Sequence, residues 1–228
     1  MRSRAAILPY PGDPFLLHYW LDLFYEVWVN EIDKLYIICN TPVEKKVVEY
    51  IEFLCTEDPG KIDYTFINYH IQHGDAIRMA LEKATENHVM LIEDDAYIFK
   101  PRIVDACFKR IETGEFDIVG SKRGSCHPEI LERAKQLWGI PTTGIGDQGC
   151  NFWPCYFFST RTLLLQTDRD FNSRAWVQGE KIAPLQDYEV AAPVVASDTF
   201  VWASLQLRAM VSENRIFYIP QYHAHPDD

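Results

Sequence analysis

Residues 89–101 read VMLIEDDAYIFKP: four apolar residues run straight into Glu93, Asp94 and Asp95, and the chain then turns apolar again. The apolar run has no polar alternation, so it predicts a strand covered on both faces, as in a parallel sheet. Three adjacent carboxylates repel one another, and burial raises that cost. Their place at a strand end makes physical sense when a cation belongs beside them. Open α/β sheets bind ligands outside the carboxyl ends of their strands. In an extended chain Glu93 and Asp95 share one face and Asp94 points to the other. Such a pair can hold a hard divalent ion, Mn2+ or Mg2+, whose remaining positions are filled by phosphate oxygens and water. A solvated turn after a strand is the plain alternative.

Working outward, the flanking segments alternate strand and helix. AAIL (5–8), KLYIIC (34–39) and DYTFIN (63–68) predict strands. Asp13 and Pro14 signal a helix start, and Leu16, Trp20, Leu23, Phe24 and Val27 form its apolar stripe. NTP (40–42) predicts the cap of a second helix that turns Val47, Tyr50, Ile51 and Leu54 inward, and residues 75–84 predict a third that buries Ala76, Ile77, Ala80, Leu81 and Ala84. This order means an α/β domain with a mainly parallel central sheet. Further on, FDIV (116–119), CYFF (155–158) and RIFYIP (215–220) predict short strands, and a helix begins near Ser197 and Asp198 with Phe200, Ala203, Leu207 and Met210 inward. With no repeat or Gly/Ser linker, a single domain over 1–228 is expected.

The 228 residues carry a net charge of −11, with 47% apolar and 24% charged residues. That balance describes an ordinary folded protein and argues against a surface that binds polyanions throughout. The best local basic stretch is KRGSCHPEILERAK (122–135), which reads first as a solvated helix face beside a loop. Six cysteines without a CxxC pair read as reduced thiols, so a cytoplasmic setting is expected. No stretch approaches the ~20 apolar residues of a membrane span, and the first residues do not read as a signal peptide.

The order of elements resembles the GT-A fold of nucleotide-sugar glycosyltransferases. AAILPYPGDP is similar to that family's opening strand and nucleotide-contact loop, and HGDAIRMALEKATENHVMLIEDDAYIFKP to its central signature. Glu93-Asp94-Asp95 looks like the EDD form of the DXD metal motif. GCNFWPCYFFSTRTLL (149–164) is similar to an acceptor-side stretch, SDTFVWASLQLRA (197–209) to the family's acidic helix start, and RIFYIPQYHAH (215–225) to its closing strand with a metal-binding His. Ser197 stands where the first acidic residue of the helix-start motif belongs, and Pro101 lies further from the carboxylates than in the commonest pattern.

The resemblance implies transfer of a sugar from a nucleoside-diphosphate donor, a UDP-sugar foremost, with residues 1–101 holding the donor and 102–228 the acceptor. It implies Asp95 and His223 as metal ligands, with His225 a rival for the latter, and Glu93 and Asp94 facing the donor. Pro9, Tyr10 and Asp13 would meet the nucleotide, Arg78 a phosphate, and the amides of His73 and Gly74 the donor. Asp13 can instead simply cap its helix. Asp198 is the candidate base for the acceptor hydroxyl, with Asp147 and Asp187 as competitors, though an ordinary N-cap also explains Asp198. Trp153, Trp176 and Trp202 can stack on a sugar or pack in the core. The compact form also looks similar to viral and phage glycosyltransferases that modify hydroxymethylated DNA bases. DNA as acceptor would require Lys122, Arg123, Arg133, Arg161, Arg169 and Arg174 to gather on one rim. A catalytically silent nucleotide-binding or interaction module on the same fold, and a transferase acting on a soluble glycan or small molecule, are the other readings.

Overall fold

The computed structural model describes residues 3–10, 12–122, 127–140 and 152–219. Its centre is a seven-stranded sheet in the order β11-β5-β6-β4-β1-β2-β3. These are β1 (Arg4–Tyr10), β2 (Lys34–Cys39), β3 (Ile62–Phe66), β4 (His88–Leu91), β5 (Ile118–Lys122), β6 (Phe152–Thr160) and β11 (Ile216–Ile219). Strands β3, β2, β1 and β4 are parallel neighbours, as are β5 and β11, while β6 runs antiparallel between β4 and β5. The expected α/β class and mainly parallel sheet are therefore present.

Both faces of the sheet are covered, as the unbroken apolar strands require. Along β1, Ala6, Leu8 and Tyr10 enter one core and Ala5 and Ile7 the other, and on β4 Met90 alternates with Val89 and Leu91. The first core lies under α1 (Pro14–Leu23), α2 (Lys45–Glu57) and α4 (Ile103–Glu112); the second lies under α3 (His73–Lys83), α6 (Arg161–Leu165) and α7 (Val201–Met210). A third cluster joins α5 (Pro128–Trp138) and α7 to β10 (Val194–Ser197) and a small hairpin, β8 (Lys181–Ile182) with β9 (Tyr188–Glu189). In it Trp176, from β7 (Arg174–Val177), meets Trp202 edge-on at 5.7 Å, so these two rings pack in the core.

Three local expectations change. Helix α2 starts at Lys45 behind Glu44, not at the NTP tripeptide, because Asn40 remains in register with the sheet through its N–H bond to the Tyr10 carbonyl at 3.1 Å. Helix α7 starts at Val201, behind Phe200 in the left-handed region at φ 69°, and Met210 at its end is exposed. Helix α4 lies where the sequence predicts no element, and α5 falls on the 122–135 stretch that reads as a solvated helix face. Helix α4 is organised by Glu31, whose Oε2 accepts from the Asp105 amide at 2.7 Å.

The same helix closes around a buried cation. Arg4 is 1% exposed at the amino end of β1. Its guanidinium gives two bonds of 2.6 Å to Glu112, one of 2.9 Å to Asp105 and one of 3.2 Å to the Glu31 carbonyl, and sits over the Phe108 ring at 5.1 Å. A buried charge survives because each nitrogen of its fork is engaged. Removing Glu112 leaves a cation that is 1% exposed short of its counter-charge, whereas removing Arg4 leaves carboxylates about a fifth exposed that can still reach water. Glu112→Ala is expected to lower unfolding free energy by about 3 kcal/mol, and Arg4→Met by less, as read by urea denaturation.

Candidate functional site

The carboxyl ends of β1, β2 and β4 lie side by side. The β1–β4 ladder ends at the Ile7–Leu91 pair, so Pro9, which has no N–H, lies where only β2 still pairs. Just past β4 the Ile92 amide donates to the Ile7 carbonyl at 3.1 Å, and Ala96 N–H closes a turn on the Glu93 carbonyl at 3.1 Å. The three carboxylates thus occupy a turn rather than extended strand, and the expected alternation of faces does not apply. Burial sorts them instead: Glu93 is half-buried, Asp94 buried and Asp95 exposed. Two side chains grip the chain immediately beyond. Trp20 Nε1 donates to the Ala96 carbonyl at 3.0 Å, and Tyr156 Oη, from a residue at φ 62°, donates to the Tyr97 carbonyl at 2.6 Å.

Asp94 carries the largest strain. Burial first, then the charges of Asp95 and Asp13, push its carboxyl from the ordinary 3.8 up to about 6, while its own backbone amide works the other way. Its Oδ2 has no hydrogen-bond partner. Tyr10 is fully buried with an unpartnered hydroxyl, and burial, with help from Cys39, Asp13 and Asp94, pushes its phenol upward. Asp13 does cap α1, accepting from the amides of Phe15 at 2.9 Å and Leu16 at 3.3 Å, and its charge also bears on Asp94 and Tyr10.

His73 opens α3 with Nε2 3.6 Å from Glu93 Oε1. Burial lowers its pKa against the upward pull of Asp95 and Asp198, so the ring is neutral at pH 7 and the 3.6 Å approach is a contact, not an ion pair. Asp198 lies between β10 and α7; its Oδ1 accepts from Thr199 N–H at 2.8 Å, two residues before the start of α7 proper. Gly74 is buried, and the polar side chain of Arg78 is exposed with Nη2 2.8 Å from Asp75. Asp187 sits in the exposed loop of the small hairpin, in the left-handed region. Asp147, His223 and His225 lie outside the described residues, as does the Trp153 side chain.

Six buried polar atoms without a partner lie along this one edge: Tyr10 Oη, Asn40 Oδ1, His73 Nε2, Asp94 Oδ2, Asn172 Oδ1 and Ser197 Oγ. Buried polar groups are rarely left unpaired, so their concentration marks where a ligand is expected. In the sequence Asn40 reads only as part of a helix cap, and Asn172 does not stand out. A polar residue directly after the apolar β2 was a usable signal for the first, and nothing local marked the second. Among the described residues no three His, Cys, Asp or Glu side chains converge as a metal cage. The donor chemistry still suits Mn2+ or Mg2+, which take only one or two protein carboxylates and complete their shell with phosphate and water.

The raised carboxyl has a consequence for stability. Between about pH 4 and 6 the folded chain holds a proton on Asp94 that the unfolded chain has released, so stability falls as pH rises through that window. Asp94→Asn, measured by thermal unfolding in chelator, is expected to gain about 1–2 kcal/mol at pH 7 and to flatten the dependence between pH 4 and 6.

No protein-family model and no curated protein sequence matches the chain. Solved structures do. Mannosyltransferase PcManGT from Pyrobaculum calidifontis, in complex with GDP-Man and Mn2+, is 12% identical with a TM-score of 0.60, over 96% of this chain and 55% of that one. S. aureus TarS 1–349 is 10% identical with a TM-score of 0.57, over 96% and 58%. GalNAc-T7 with UDP, GalNAc and Mn2+ is 8% identical with a TM-score of 0.54, over 75% and 38%. The chain thus spans little more than half the length of the first two. Its architecture, a mainly parallel seven-stranded sheet between helices with acidic residues at the carboxyl edge, is the fold of the GT-A glycosyltransferases.

Proposed function

We propose that this chain is a glycosyltransferase that uses a nucleoside-diphosphate sugar, a UDP-sugar foremost, together with Mn2+ or Mg2+. The observation that carries this reading is the acidic turn at the end of β4, where an exposed Asp95 stands beside a buried Asp94 whose Oδ2 has no partner, with Asp13 acting on Asp94 and Asp198 on the neighbouring His73. PcManGT with GDP-Man and Mn2+, and GalNAc-T7 with UDP and Mn2+, lend support through their fold.

In this reading Asp95 holds the metal as the DXD-type ligand, and His223 joins it. The ion supplies Lewis-acid neutralisation of the charge that builds on the departing diphosphate. Glu93 and Asp94 face the donor; Pro9, Tyr10 and Asp13 border the nucleotide, with Arg78 and the α3 amino end, His73 and Gly74, on the phosphate side. During transfer the acceptor oxygen bonds to the anomeric carbon, the bond from that carbon to the diphosphate breaks, and the hydroxyl proton passes to Asp198, with Asp147 the alternative base. The neutral His73 stands between Asp198 and Asp95 in the field of both. Residues 1–101 serve the donor's nucleotide and diphosphate, and 102–228 mainly the acceptor.

The acceptor follows less directly from the structure. Hydroxymethylated DNA would need free cations on one rim. Arg174 is bound to Asp170 at 2.9 Å, Arg169 approaches Glu82 at 3.8 Å, and Arg161 donates to the Leu81 carbonyl at 2.7 Å, so these three are already engaged. A soluble hydroxyl compound of low charge fits the −11 chain better. Offering labelled UDP-sugars to hydroxymethylated DNA, unmodified DNA and a panel of free sugars separates these acceptors by where the label goes.

Asp95→Ala is expected to abolish Mn2+-dependent UDP binding and sugar transfer while the chain stays folded, with metal-free stability level or slightly higher because a like charge is removed. Calorimetry with UDP, with and without Mn2+, and thermal unfolding read these two effects. Absence of metal-dependent UDP binding in the parent chain overturns the transferase reading; binding with neither transfer nor donor hydrolysis identifies a silent module instead.

A further inference from the structure

The second half of the site is assembled by a contact between backbones. A Cβ added to Gly74, in the first turn of α3, would lie 2.2 Å from the carbonyl carbon of Phe171 and 2.4 Å from the amide nitrogen of Asn172. The Phe171 carbonyl in that segment also accepts from Phe200 N–H at 2.8 Å. Two residues on, β7 pairs antiparallel with β10, with Arg174 opposite Ser197. The first turn of α3, the segment at 171–174 and the end of β10 therefore meet at the carboxylate edge.

Each of these three pieces brings one buried polar atom that has no partner: His73 Nε2, Asn172 Oδ1 and Ser197 Oγ. Ser197 is 3% exposed, so its hydroxyl has lost water and gained nothing in return. Carboxylates face them, since Glu93 lies 3.6 Å from His73 and both Asp95 and Asp198 act on the same ring, and the cation opposite Ser197, Arg174, is bound to Asp170 at 2.9 Å. An amide oxygen, a hydroxyl and an imidazole nitrogen are the groups that pair with alcohols. None of them offers a positive charge to a carboxylate, and the surrounding carboxylates would repel one.

We propose that His73, Asn172 and Ser197 bind the hydroxyls of the sugar carried by the donor, and that this sugar is uncharged. The inference rests on the donor-binding reading above and names the sugar class that this site takes. Leaving these atoms unpaired in the free protein is what makes them selective, because a sugar lacking the matching hydroxyls, or bringing a carboxylate, leaves them unsatisfied in the complex.

The test is calorimetry in Mn2+ with UDP, UDP-glucose, UDP-galactose, UDP-GlcNAc and UDP-glucuronic acid, on the parent chain, Asn172→Ala and Ser197→Ala. Binding of UDP itself reads the donor-binding function; the ratio of each UDP-sugar to UDP reads the inference. In the parent chain at least one neutral UDP-sugar is expected to bind ten-fold or more tighter than UDP-glucuronic acid and tighter than UDP. Each variant is expected to lose five- to ten-fold of that neutral-sugar affinity while UDP affinity stays within two-fold. Thermal unfolding without nucleotide supplies a second readout: Ser197→Ala removes a stranded hydroxyl and is expected to hold or raise the melting temperature, whereas a merely structural Ser197 predicts a fall. Variants that keep the parental sugar-to-UDP ratio, variants that lose UDP and UDP-sugar equally, or preferred binding of the uronic acid would overturn the proposal. A parent chain that binds no UDP removes the donor-binding reading and this inference with it.

Discussion

Mutual repulsion among carboxylates at one edge of the sheet is the constraint on which the rest of this site depends. Glu93, Asp94 and Asp95 are brought together by a turn, and Asp13 and Asp198 arrive from other parts of the chain to add to the same field. The cost shows at Asp94, where burial first, and then the charges of Asp95 and Asp13, make the carboxyl hold its proton more tightly than in water. It shows in a different form at His73, which stays neutral because burial outweighs the carboxylates near it. A fold pays such a cost where a charged ligand is to be received.

The two ends of β1 make the point by contrast. At the amino end, Arg4 is buried to 1% exposure, yet Glu112, Asp105 and the Glu31 carbonyl engage each of its nitrogens. At the carboxyl end of the same strand, Tyr10 is equally buried and its hydroxyl meets nothing. Both ends belong to one rigid strand in the centre of the sheet, so flexibility does not explain the difference. The satisfied end holds the helical layer in place; the unsatisfied end is left for something that is not part of this chain.

What keeps the unsatisfied end in shape is packing rather than charge. Trp20 and Tyr156 fix the carbonyls just after the acidic turn, and the Gly74 contact locks the 171–174 segment against α3. Both devices are contacts of uncharged side chains or backbone. The carboxylates can therefore be held close without having to attract one another, which is what a preorganised cation site requires. The same packing brings the second half of the chain, through β10 and Asp198, against the half that the parallel strands build.

The parallel half of the fold was legible in the sequence because its signals are local. Unbroken apolar runs at β1, β2 and β4 can only be buried on both sides, and the carboxylates after β4 announce themselves at any strand end. Asp13 was legible as a cap for the same reason. The sequence could not say that β6 runs antiparallel, since pairing direction depends on how a distant strand returns. Nor could it say that Asp94 is buried while its neighbour Asp95 is exposed, because a turn, not a strand period, decides their directions. Asn172 carries no signal at all in its own neighbourhood. It becomes part of the site only because Gly74, nearly a hundred positions earlier, lacks the Cβ that would push its backbone away, and contacts of that kind exist only once the chain has folded.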